Sequence, residues 1–142
     1  MPQAQDARQG AGWTIAWATG LAALGSAGVA AAWVAVSMLT QSQGAWMAVV
    51  AALDAAWLLR LAGAPRGTSR MCAGVLSTVV AIALAHWGIV SAHLAGMMGL
   101  GFLDTALRLG PSLAWTLSSL ANSTADLAWL SAGLIVAAIA SR

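Results

Sequence analysis

Both histidines of the chain, His86 and His93, stand seven residues apart in the apolar run from Ile82 to Gly96. Seven residues complete almost two turns of an α-helix, so the two imidazoles share a face. Two of the acidic residues, Asp54 and Asp126, are set in equally apolar surroundings. Imidazole and carboxylate side chains can relay protons, hold metal ions, or hydrogen-bond one helix to another. Which of these applies depends on whether the surroundings are a protein core or lipid.

Composition decides that question. Of the 142 residues, 61% are hydrophobic and 7% charged, and Lys, Glu and Tyr do not occur. An ordinary soluble domain is about 25% charged, so this chain has too few ionic groups to cover a solvated exterior. Acyl chains are the expected solvent, and the lipid bilayer the expected partner. Six Arg against four Asp leave a net charge of +2, far short of the basic footprint that nucleic-acid binding requires. Cys72 is the single cysteine, which excludes an intrachain disulfide, a CxxC redox motif and a cysteine zinc cluster.

A crossing helix needs about 20 largely apolar residues. Four stretches are read as spans, at about residues 13–39, 45–61, 71–95 and 120–140. The first carries no charge and is longer than the roughly 7–15 residues of a signal-peptide core, so it is expected to be retained. Gly96, Gly99 and Gly101 are the expected break after the third span. Residues 97–119 then form an interfacial segment of one or two short amphipathic helices, with Gly110-Pro111 starting the second.

The start of the last span is ambiguous. Ser123-Thr-Ala-Asp126 has the S-x-x-D capping pattern, yet Leu127 to Ala140 alone would reach only about 21 Å of a core about 30 Å thick. That shortfall draws residues from about Leu120 into the membrane and submerges Asp126. The expected fold class is all-α: a polytopic membrane protein with four transmembrane helices. A short cytoplasmic tail over residues 1–12 precedes a single four-helix domain over residues 13–142.

Arg60, Arg66 and Arg70 crowd the connection between the second and third spans, whereas residues 40–44 carry no charge. The positive-inside rule places that linker in the cytoplasm, and both termini, with Arg8 and Arg142, on the same side. The three linker arginines are read as facing anionic lipid, where each adds about 1 kcal/mol of attraction. The Ala- and Arg-rich, Lys-free composition points to a bacterial cytoplasmic membrane. On the first span Ala16, Gly20, Ala23, Ala27 and Ala31 form a small-residue ridge that another backbone could approach closely, from within the chain, from a second copy or from another membrane protein.

An ionisable side chain inside a span costs about 2.5–3.5 kcal/mol and calls for a partner. Counted from expected outer ends at Ala45 and Ala95, Asp54 and His86 each lie about 14 Å deep at helical rise. Asp54, His86, His93 and Asp126 are therefore the intramembrane polar candidates, expected to converge between the last three spans. In the first reading Asp54 hydrogen-bonds His86, or nearby hydroxyls, and merely sets helix packing. In the second, Asp54 and His86 handle protons or ions. A metal- or haem-binding anchor is the third. No H-x3-H pair supports it, and two histidines on one helix face cannot clasp one iron. No metal site, catalytic residue or cofactor is assigned.

The P-loop, the G-x-S-x-G elbow and the H-E-x-x-H motif are all missing, so enzymatic activity is not expected. The sequence therefore describes a small non-enzymatic inner-membrane protein that packs as a homo-oligomer or as an accessory subunit of a membrane assembly. A small proton- or ion-coupled transporter or channel is the alternative.

Overall fold

A computed structural model describes residues 2–142, with side-chain environments given for residue 10 and for residues 12–142. Among the described residues there are six helices and no strand. They are α1 (Pro2–Thr40), α2 (Met47–Leu61), α3 (Thr68–Met98), α4 (Phe102–Arg108), α5 (Pro111–Ala121) and α6 (Thr124–Ala140). The backbone of residues 2–12, expected as a tail, continues the first helix. The Arg8 side chain, expected on the cytoplasmic side, lies outside the described side chains.

Local chemistry accounts for most of the boundaries. The third helix stops where Gly99 adopts the left-handed conformation, φ 65°, and donates its N–H to the Ala95 carbonyl, a conformation that costs glycine nothing. Pro111 opens α5, where its missing N–H is no loss. Ser123 and Asp126 form a reciprocal capping box at the start of α6: the Ser123 N–H donates to Asp126 Oδ2 at 2.8 Å, and the Asp126 N–H to Ser123 Oγ at 3.2 Å. The cap and not the hydrocarbon thickness therefore sets the start of α6, and the Asp126 carboxylate is spent on the Ser123 N–H and hydroxyl.

Two helices are long and apolar enough to cross a membrane, Gly12–Thr40 and Thr68–Met98. Pro111–Ala121 and Thr124–Ala140 pass the same test only as a pair, and that pair is bent by 111°. The candidate spans thus number two, or up to three. At 15 residues, α2 reaches about 22 Å, short of a hydrocarbon core of about 30 Å. Large apolar side chains lie on the outside, including Trp13, Trp17, Leu39, Leu107 and Trp115, each more than 70% exposed. An exterior of this kind suits lipid and not water.

Glycines mark the places where helices touch. Ser26 of α1 meets the Ser77 carbonyl of α3 at 2.9 Å, and a Cβ on Gly88 would come within 2.6 Å of Val34. The two contacts follow one another up both helices, so α1 and α3 run in the same direction. Between them α2 returns: Asp54 Oδ2 and the Leu58 side chain fill the space a Cβ on Gly25 would need. A Cβ on Gly133 of α6 would lie 2.8–2.9 Å from Ala48 of α2, including its backbone carbonyl, and Gly74 of α3 lies against Ser141. Lipid solvates apolar surface as well as protein does, so close contact rather than burial must hold such a bundle, and only a missing Cβ lets backbones approach this near.

The face of α1 that packs inside the chain differs from the expected one. Ala18, Ala22, Ser26, Ala30, Trp33 and Ser37 are buried, whereas Ala16, Gly20, Ala23, Ala27 and Ala31 are all exposed. At about 100° per residue the two ridges are centred about 110° apart around the helix, on distinct, adjoining faces. Intramolecular packing uses the one that also carries Trp33, whose fully buried indole donates its Nε1–H to the Gln43 carbonyl at 2.8 Å. That bond ties α1 to the connection that leads into α2.

Candidate functional site

Where α5 and α6 diverge, they leave a cavity of about 500 Å³ against α3. Ile82, His86 and Trp87 line it from α3, Ala114, Trp115 and Ser118 from α5, and Leu127, Leu130 and Leu134 from α6. Asn122 contributes from the bend itself. The sharp turn follows from the sequence: the Ser123 capping box fixes a new helix start directly after Asn122, whose extended backbone (φ −79°, ψ 126°) ends α5. Trp87 is held in place by an Nε1–H bond of 3.0 Å to the Ala106 carbonyl at the end of α4. The short α4 thus props one aromatic wall.

His86 is the buried polar centre of this region. Its Nδ1 lies 2.9 Å from the Ile82 carbonyl, which can only accept, so Nδ1 carries the hydrogen. The other nitrogen, Nε2, lies 3.3 Å from the Asn122 side-chain oxygen. In the neutral ring Nε2 is itself an acceptor, and the contact becomes a hydrogen bond only if Asn122 turns its amide nitrogen inward. Behind the ring, Trp33 packs edge to face, with ring centroids 5.7 Å apart and planes at 69°. The indole thereby fixes the imidazole's orientation from the side away from the cavity.

The four polar residues singled out by type do not converge. Asp54 abuts Gly25 and His86 pairs with Asn122. Asp54 sits at the level of Gly25 on α1, while Gly88, two residues beyond His86, sits at the level of Val34. Those levels are nine residues apart along α1, and stepping back the two residues from Gly88 to His86 leaves about 10 Å at helical rise. The expected equal depth fails because α3 extends to Met98 and α2 begins only after a six-residue connection, so Ala95 and Ala45 are not matching ends. His93 is exposed and bonds its own helix, Nδ1 to the Ile89 carbonyl at 2.9 Å. With Asp126 in its capping box, no three His, Cys, Asp or Glu side chains among the described residues come together.

The arginine linker is also used differently from the expected lipid contact. Arg70 is buried, and its Nε–H donates to the Ser141 carbonyl at 2.8 Å. Its remaining donors reach the carbonyls of Ala64, at 3.4 Å, and Arg142. Arg60, itself exposed, donates to the Ala140 carbonyl at 2.8 Å. These bonds satisfy carbonyls that the end of α6 leaves without intrahelical partners, and place positive charge at the negative end of its dipole. Only Arg66 stays free for the expected role, exposed in the linker.

Sequence reasoning overlooked Asn122, Ser118, Trp115 and Trp33. Asn122 had a signal, since an amide directly before an S-x-x-D cap marks a chain reversal inside an apolar stretch. Trp33 had none, because in a chain with eight tryptophans nothing local separates a buried indole from an interfacial one. Comparison with protein families, with curated proteins and with solved structures found no match.

Proposed function

We propose that this chain is a small, non-enzymatic integral membrane protein that works as a homo-oligomer or as an accessory subunit of a larger membrane assembly. Four segments are embedded: the long α1 and α3, the shorter α2, and α6 with α5 as its broken continuation. The Ala- and Arg-rich, Lys-free composition supports a bacterial cytoplasmic membrane, and the charge asymmetry of the connections supports the end carrying Arg60, Arg66 and Arg70 facing the cytoplasm.

The observation that carries this reading is the free face of α1. Ala16, Gly20, Ala23, Ala27 and Ala31 are exposed, and a Cβ at Gly20 or at neighbouring Gly28 would meet nothing within 4 Å. Such a face offers lipid little contact and another helix a close one. In native mass spectrometry from mild detergent, the protein is expected to run as an assembly, with itself or with a co-purifying membrane protein, and Gly20→Leu with Ala27→Leu is expected to release it as a monomer. A wild-type monomer with nothing co-purifying would refute the proposal.

The level difference between Asp54 and His86 favours this reading over an ion-coupled carrier. With the carboxylate and the imidazole about 10 Å apart in level, a proton has no direct route between them. Asp54→Asn is accordingly expected to leave proton flux into proteoliposomes unchanged. A fall in flux to the level of protein-free liposomes would restore the carrier reading.

A further inference from the structure

The cavity between α3, α5 and α6 has a polar end at which His86 and Asn122 meet through one long contact. With Nδ1–H committed to the Ile82 carbonyl, the Nε2 of a neutral His86 ring is an acceptor. Asn122 supplies both an amide oxygen and a two-hydrogen donor, yet its contact with Nε2, at 3.3 Å, is longer than a good N–H···O or N–H···N bond. Side by side, the two groups present one acceptor and one donor. A hydroxyl is the small group that meets both at once, donating to Nε2 and accepting from the Asn122 amide.

The walls restrict the rest of the molecule. No Asp, Glu, Lys or Arg lines the cavity, so a carboxylate, phosphate or ammonium head would sit there without a counter-charge, at a cost of several kcal/mol. Trp87 and Trp115 favour a flat ring, and Ile82, Leu127, Leu130 and Leu134 an apolar body. At about 500 Å³ the space lies within the range of small-molecule sites, about 300–1,000 Å³. Exposed Ala83 and Leu127 mark its open side, which in a bilayer gives onto lipid.

We propose that this cavity is a binding site for an uncharged, ring-bearing lipophile with a hydroxyl head, of the phenol or hydroquinol class, with the hydroxyl on His86 and Asn122 and the ring between Trp87 and Trp115. The site needs the chain to be embedded in lipid and does not depend on lateral assembly through α1.

The test is calorimetric titration of the purified protein in dodecyl maltoside at about pH 8, with partition into empty micelles subtracted. The probes are 4-hexylphenol and hexylbenzene, which differ by one hydroxyl. Saturable one-to-one binding of 4-hexylphenol is expected, with hexylbenzene about tenfold weaker because it covers His86 and Asn122 without hydrogen-bonding to either. Asn122→Leu should remove the preference for the phenol. Ala83→Trp, at an exposed position on the cavity rim, should abolish binding of both probes while leaving the fold intact by circular dichroism. Equal binding of the two probes would mean an acyl-chain groove only, and would overturn the proposal. So would the absence of saturable binding, or binding indifferent to Ala83→Trp. If Asn122→Leu does not fold, the probe comparison and Ala83→Trp still decide the matter. A monomeric protein that binds 4-hexylphenol would refute the assembly proposal and leave this one standing.

Discussion

Gly133→Leu is expected to separate α2 from α6 and to lower the stability of the protein in detergent by about 3 kcal/mol, the upper end of what overpacking usually costs. The reason is geometric. A Cβ at this position would lie 2.9 Å from the backbone carbonyl carbon and oxygen of Ala48, and backbone cannot move aside as the tip of a flexible side chain can. Leucine adds three more carbons to that collision. Gly133→Ala should cost roughly half as much, by the same overpacking. Gly28→Leu, where a side chain meets nothing within 4 Å, should stay within about 0.5 kcal/mol of wild type. Denaturant titration followed by tryptophan fluorescence measures all three. If Gly133→Leu proves as stable as Gly28→Leu, close approach at this glycine does not hold the bundle.

Removing the Arg70 guanidinium is the second large effect. Arg70→Ala is expected to cost about 3 kcal/mol, because hydrogen bonds from a charged donor are worth about 1.5–3 kcal/mol each and the side chain serves the Ser141 and Arg142 carbonyls just past α6 and the Ala64 carbonyl of its own linker. The loss should appear first as fraying of that end, read by hydrogen exchange at Ala137 to Ser141. Arg70→Lys should recover little, since one ammonium cannot reproduce a planar fork of donors. Arg66→Ala, at an exposed site of the same linker, should be close to neutral. Equal losses from Arg66→Ala and Arg70→Ala would show that the linker acts through its overall charge, as a lipid-facing patch would, and not through the bonds to α6.

The arginines show where pattern reading stops. Their clustering and its implication for orientation are properties of the sequence, but whether a guanidinium points to a phosphate headgroup or to a carbonyl 71 residues later depends on where α6 ends in space. Asp126 carries the same lesson in another form. Its capping pattern was legible in four residues and the structure uses it, while the competing argument from membrane thickness assumed a straight span. The bend of 111° at Asn122 and Ser123 removes that assumption.

Composition alone determined that the chain is helical and suited to lipid, and local signals such as Gly99, Pro111 and the Ser123 cap placed several helix ends, because these follow from each residue's own solvation and backbone preferences. Tertiary structure alone decided which face of α1 is buried, which partner His86 takes and that a cavity opens beside it. In helices so rich in alanine every face resembles every other. Rotation and register are chosen by a few close contacts at Gly25, Gly74, Gly88 and Gly133, each joining residues far apart in the chain.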